Sequence, residues 1–171
     1  MNLYYLPIAL LFTLSACALA SAQTCQSETA IPSTTPTSRF LVHGDNTVTD
    51  TATGLMWARC PEGLGGSDCT DGAAKRFTWE EALSRARDST LAGYTDWRLP
   101  TVKELSFIVE ERCTAPAINL AVFPNSSQWM FWSASPSYYI GRSWIVSFSS
   151  AQIFDGYRSM GYNVRLVRPG Q

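Results

Sequence analysis

The sequence predicts an α+β domain in which two helices pack on short antiparallel sheets and disulfides add stability. Three observations carry that prediction. Two capping boxes, Thr78-Trp79-Glu80-Glu81 and Thr101-Val102-Lys103-Glu104, open helices in the middle of the chain. Short segments of apolar and polar alternation lie on both sides of them. Four cysteines, Cys25, Cys60, Cys69 and Cys113, follow an amino terminus that reads as an export signal.

Residues 1–22 form that signal. Leu3 to Leu14 is apolar, without a charged side chain, and too short to span a bilayer comfortably. Two processing sites compete. Ala20-Ser21-Ala22 before Gln23 is a small-residue cleavage site, while Leu14-Ser15-Ala16-Cys17 matches a bacterial lipobox whose Cys17 would be lipidated. Cleavage after Ala22 is favoured because the small, apolar run continues past Cys17. The mature chain is then periplasmic, extracellular or at the cell surface, with no transmembrane segment, or an outer-membrane lipoprotein if Cys17 is used.

Cleavage after Ala22 leaves 149 of 171 residues, enough for one domain. It also leaves an even number of cysteines bound for an oxidising compartment. Cys60 and Cys69 flank a flexible loop, Pro61-Glu62-Gly63-Leu64-Gly65-Gly66-Ser67-Asp68, that closes easily. Cys60–Cys69 and Cys25–Cys113 is therefore the expected pairing, tying the amino-terminal arm to the second helix. Zinc is the alternative, but the spacing lacks a Cys-x-x-Cys knuckle and the single histidine, His43, is distant in sequence. No metal or cofactor is expected.

Residues 23–38 are a Thr-, Ser- and Pro-rich arm without apolar periodicity. Residues 39–168 form the domain. Arg39 to His43 reads as a strand, and Asp45 to Trp57 as short strands around polar turns. Trp79, Ala82, Leu83 and Ala86 recur at helical spacing and define a first helix of about eleven residues with Arg85 and Arg87 outside. Pro100 forces Leu99 into an extended conformation, and Thr101 opens a second helix with the stripe Val102, Leu105, Ile108 and Val109. Asp96, Trp97 and Arg98 occupy the rigid corner between the helices, Trp97 facing inward and Arg98 free to reach a carboxylate. Trp129 to Ala134, Arg142 to Ser149 and Tyr162 to Arg168 read as the carboxyl-terminal strands.

The formal charge of −1 is unevenly spread. From Pro116 onward, Arg142, Arg158, Arg165 and Arg168 face only Asp155, which makes the carboxyl-terminal third basic. Such a surface attracts sulfated or carboxylated glycans, or else its arginines pair internally.

Thr53-Gly54-Leu55-Met56-Trp57, Tyr94-Thr95-Asp96-Trp97-Arg98-Leu99-Pro100, Lys103-Glu104-Leu105, Phe131-Trp132-Ser133-Ala134-Ser135 and Val164-Arg165-Leu166-Val167-Arg168 resemble, in order, the motifs of the bacterial Lcl C-terminal domain family. The resemblance spans about residues 39–168. It makes Trp57, Asp96, Trp97, Arg98, Pro100, Trp132 and Arg165 structural motif positions and implies a fold similar to C-type lectins and formylglycine-generating enzymes. Characterised relatives imply glycan binding and adhesion, although this chain has no collagen-like Gly-X-Y run to trimerise it. Proteins diversified by retroelements resemble the same fold and vary the same carboxyl-terminal region.

Enzymatic readings find little support in the residues. No cysteine follows Cys113, which argues against the paired carboxyl-terminal cysteines of formylglycine generation. His43 lies in an expected strand and no nucleophile elbow is present. Glu80 with Glu81 and Glu110 with Glu111 are adjacent on expected helices and diverge, as solvated faces or arginine partners. The late loops offer too few carboxylates for calcium. A binding surface remains. Tyr138, Tyr139, Arg142, Tyr157, Arg158 and Tyr162 fall in Ser- and Gly-rich loops, a composition that combines rigid rings with adaptable hydrogen bonding. The expected function is a non-catalytic module for an extracellular glycan or surface protein, with no nucleic-acid partner. A structural component of the envelope is the rival, and an enzyme comes third.

Overall fold

The computed structural model describes residues 23–170. The signal peptide, the cleavage after Ala22 and the lipobox at Cys17 lie outside the described residues. In chain order the elements are β1 (Thr24–Cys25), β2 (Phe40–Val42), β3 (Thr47–Asp50), β4 (Leu55–Ala58), β5 (Leu64–Gly65), β6 (Asp71–Gly72), α1 (Trp79–Arg87), α2 (Val102–Ser106), β7 (Cys113–Thr114), β8 (Met130–Pro136), β9 (Arg142–Ser147), β10 (Gln152–Tyr157) and β11 (Val167–Pro169). The fold is α+β. An antiparallel sheet of order β11-β4-β3-β2 and a second of order β10-β9-β8 are joined by two small ribbons, β1-β7 and β5-β6. No helix among the described residues is long and apolar enough to cross a membrane.

Both helices start at their capping boxes. Thr78 Oγ1 accepts from the Glu81 N–H at 3.4 Å while Glu81 Oε2 accepts from the Thr78 N–H at 2.8 Å. Thr101 and Glu104 repeat the exchange at 3.2 and 2.7 Å. Each box satisfies donors that a helix start leaves orphaned. Helix α1 has nine residues and buries Ala82 and Ala86, with Arg85 and Arg87 exposed. Helix α2 is shorter than the apolar stripe predicts. It stops at Ser106, because Phe107 and Val109 bond three residues back, to Glu104 and Ser106, and tighten the chain. Ile108 and Val109 are buried nonetheless.

That tightening turns Glu110 inward, not onto a solvated helix face. Its carboxylate accepts from Ser33 Oγ at 2.5 Å, the Thr34 N–H at 3.2 Å, the Thr35 N–H at 3.0 Å and Thr35 Oγ1 at 2.7 Å. Burial raises the Glu110 carboxyl, but the donors from Ser33, Thr35 and Thr34 outweigh it and hold the group below the usual carboxylate range. The arm is thus pinned by one buried anion and by Cys25–Cys113, whose residues face each other across β1 and β7. Cys60–Cys69 closes the loop that carries β5, which pairs with β6 just beyond Cys69.

Two apolar clusters sandwich the sheet β8-β9-β10. One gathers Trp57, Leu105, Phe123, Phe131, Val146 and Phe148, and the other Ala82, Trp97, Leu99, Trp132, Ile145 and Leu166. Residues 162–170 run between the sheets. Only Val167–Pro169 is laddered, against Leu55–Trp57, so the strand expected over Tyr162 to Arg168 is mostly single-residue bridging. Tyr162 exchanges both backbone bonds with Phe77, Asn163 bonds Met130 and Trp132, and Val167 exchanges both with Arg98.

Arg165 sits in this segment with no exposed surface. Its guanidinium donates to the carbonyls of Ala58 and Arg59 and to Ser126 Oγ, and stacks 4.8 Å from the Phe123 ring centroid. Burial without a carboxylate pushes it down to about 9, so it remains charged at neutral pH.

Two outcomes are expected. Glu110→Gln lowers unfolding free energy at neutral pH by about 1.5 to 3 kcal/mol, the worth of hydrogen bonds to a charged group. Because the folded carboxyl titrates below its unfolded value, the wild-type advantage is present above the unfolded pKa and vanishes as pH falls through the folded one. Urea titrations of both proteins across the acid range check this. Arg165→Ala, which leaves a cavity and three unpaired acceptors, costs about 3 to 5 kcal/mol in the same assay.

Candidate functional site

The carboxyl-terminal sheet ends in a patch of exposed rings. Pro136 closes β8, Gly141 turns the chain at φ 75°, and Arg142 begins β9 directly opposite Tyr157 on β10. Side chains alternate across a strand, so the pairs Arg142↔Tyr157 and Trp144↔Asp155 share one face. Tyr138 and Tyr139, at 74% and 52% exposure, lie over that face, and Tyr157 is 56% exposed. Tyr138 stacks on Tyr139 with centroids 4.2 Å apart and lies 5.9 Å from Trp144. Ile140 stands fully in solvent at the hairpin tip.

Arg142 organises these rings. Its guanidinium carbon lies 4.1 Å from the Tyr157 centroid and 5.5 Å from that of Tyr139. It donates to the Tyr157 hydroxyl at 2.6 Å and to Asp155 Oδ2 at 3.1 Å. These acceptors raise its already high pKa, Tyr157 most, then Asp155. Ser137 Oγ donates to the same Asp155 oxygen at 3.4 Å and accepts the Tyr139 N–H at 3.2 Å, which fixes the loop on the sheet. Tyr139, Ile140, Arg142 and Tyr157 line an open concavity of about 410 Å³.

The six expected binding residues divide. Tyr138, Tyr139, Arg142 and Tyr157 come together; Arg158 and Tyr162 do not join them. Arg158 lies 4.1 Å over the Trp79 ring and donates to the buried Ser143 Oγ at 2.9 Å. Ser143 neighbours Arg142 in the strand and therefore faces the opposite way. Tyr162 packs against Trp132, with centroids 4.7 Å apart, and is half-buried against the second apolar cluster. Nor are all six in loops, since Arg142 opens the strand Arg142–Ser147 and Tyr157 ends the strand Gln152–Tyr157. Ile140 and Asp155 were missed as site residues. The Tyr-Tyr-Ile-Gly run between two strands, with its apolar residue before a glycine, is the signal for an exposed hairpin tip.

The four late arginines do not form one basic surface either. Arg142 is paired with Asp155, Arg168 holds Asp96 through two bonds of 2.6 and 3.1 Å, and Arg165 is buried. The ion pair with Arg168 keeps the Asp96 carboxyl below the usual range. Other motif positions are structural: Arg98 forks onto Glu104 at 2.8 and 2.6 Å, and the Pro100 carbonyl accepts the Ala134 N–H at 2.7 Å. Trp57, Trp97 and Trp132 are buried, the Trp97 indole donating to Leu91 and the Trp132 indole to Phe77. His43 Nε2 lies 2.9 Å from Thr49 Oγ1. Among the described residues no group of three or more His, Cys, Asp or Glu side chains converges to hold a metal ion.

The family model of the Lcl C-terminal domain matches residues 46–168, well over half of the chain. The chain belongs to that family. No curated protein matches it. Within this Lcl C-terminal domain the structural motif positions occupy the junction of the two sheets, while Tyr138, Tyr139, Arg142 and Tyr157 lie on a hairpin beyond it.

Gly156 shows how tightly the hairpin is seated. A Cβ at this position would come within 2.6 Å of Tyr162 Cε2 and 3.3 Å of Ile145 Cδ1. Gly156→Ala is expected to cost about 1 to 3 kcal/mol of stability, measured by urea denaturation, because the Tyr162 ring it meets is packed against Trp132.

Proposed function

We propose that this is an exported, non-catalytic binding module with a C-type-lectin-like fold, recognising an extracellular glycan or another cell-surface ligand. The single observation behind this reading is the contiguous cluster of exposed tyrosines around Arg142, held on a sheet edge. Rigid amphipathic rings give contact area at low entropic cost, and isolated monomers seldom expose so many together. The fold reading rests on the short capped helices, the two sheets and the closure of the carboxyl-terminal strand onto β4. Export is supported by the leader and by two disulfides. The non-catalytic reading is supported by His43, whose ring is engaged by Thr49, and by the disulfide bonding of Cys25, Cys60, Cys69 and Cys113.

A scaffold role in the envelope is the second reading, favoured by the burial of Arg165 and Arg168 and by the packing of Arg158 on Trp79 and of Tyr162 on Trp132. A glycan array probed with the oxidised protein separates the two. Binding that falls about tenfold in Tyr139→Ala and Tyr157→Ala but persists in Arg158→Ala is expected for a hairpin site, the loss being that of an aromatic hot spot. Binding to no glycan removes the carbohydrate reading.

A further inference from the structure

Resting on the glycan reading above, we infer that the hairpin takes an uncharged sugar ring and not a sulfated or carboxylated one. The argument is the charge balance of the concavity. Arg142 is the one cation in its lining, and Asp155 neutralises it at 3.1 Å while the Tyr157 hydroxyl takes a second amino group. Arg158, the next basic residue in sequence, is turned to the other face over Trp79. An entering sulfate would find Arg142 already paired, with the Asp155 charge beside it to repel a second anion, so little net attraction is left for it.

An uncharged pyranose meets no such obstacle. Its C–H face suits the exposed ring surface of Tyr139 and Tyr157 that Arg142 and Tyr138 leave uncovered, and its hydroxyls both donate and accept. The ion pair offers them both functions. Among the described residues Asp155 Oδ1 accepts no side-chain or backbone bond and Arg142 Nε donates none, because Oδ2, Nη1 and Nη2 make the internal contacts. One N–H of Arg142, in the lining, and one oxygen of its partner Asp155, beside it, thus have no internal bond and are already held in place by the ion pair for sugar hydroxyls. A volume of about 410 Å³ admits a small ligand, within the range of about 300 to 1,000 Å³ for such sites.

The test is binding of the oxidised protein to dextran, mannan and galactan, each against its sulfated derivative, by affinity electrophoresis. Low and high salt, about 0.05 and 0.5 M, span the range over which exposed charges become screened. The expected result is retardation by at least one uncharged polymer, changed less than about twofold by salt and weakened about tenfold in Tyr139→Ala. Asp155→Asn, which leaves Arg142 unopposed, is expected to shift preference to the sulfated form and make binding salt-sensitive. Wild-type preference for sulfated polymers, lost with salt and in Arg142→Gln, overturns the inference but leaves a glycan module. Retardation by no polymer overturns both.

Discussion

The segment from Tyr162 to Gly170 is the constraint on which the rest of the domain depends. It is the last part of the described chain, yet it lies between elements that precede it. Its backbone bonds reach Phe77 before α1, Met130 and Trp132 on β8, Glu62 and Ala58 at the end of the first sheet, Arg98 in the corner and Gly54 in the turn before β4. Buried backbone groups must find partners, so each of these elements keeps orphaned donors or acceptors until the segment arrives. Arg165 makes the same requirement chemical. A guanidinium out of water is tolerated only because carbonyls, a hydroxyl and ring faces surround it, and those come from β4, the segment after it and the loop before β8. The two sheets are therefore one cooperative unit.

The exposed hairpin inherits its rigidity from that unit without contributing to it. Strand β10 is the outer strand of its sheet, β9 is central, and β8 is bridged to Asn163. Gly156 is where the hairpin touches the interior, since Tyr162 occupies the space that any side chain there would need. Beyond Gly156 the loop bearing Tyr138, Tyr139 and Ile140 meets no such restriction. Recognition residues placed on a rigid edge but outside the core can change without disturbing the closing segment, which is the division of labour expected of binding loops on a scaffold.

Local chemistry made much of this visible in sequence. The capping boxes act through residues three apart, and a loop with four glycines and prolines between Cys60 and Cys69 closes on itself, so neither needs tertiary information. The failures share the opposite property. Helix α2 stops early in a tightened turn that brings Glu110 to Ser33 and Thr35, partners more than seventy residues away. Strand β10 contains Asp155 and Gly156, poor strand formers whose places are set by Arg142 across the ladder and by Tyr162 behind it. Arg158 looks equivalent to Arg142 in composition. Only the alternation of β9 and β10 sends one to the tyrosines and the other to Trp79.

That separation also decides the electrostatic character of the surface. Counting arginines along the carboxyl-terminal third indicates a cationic patch, but charge in a folded protein belongs to faces and not to stretches of sequence. Asp155 lies between Arg142 and Arg158 in the chain, and the sheet register places it with Arg142 alone. Arg168 is satisfied by Asp96, distant from it in sequence, and Arg165 presents nothing to solvent. The face that carries the tyrosines is consequently aromatic and balanced, with its one cation fixed by a carboxylate and a phenol. Such a surface attracts little at long range and gains its free energy on contact, through ring faces and oriented hydrogen bonds, so its specificity depends on ligand shape more than on ligand charge.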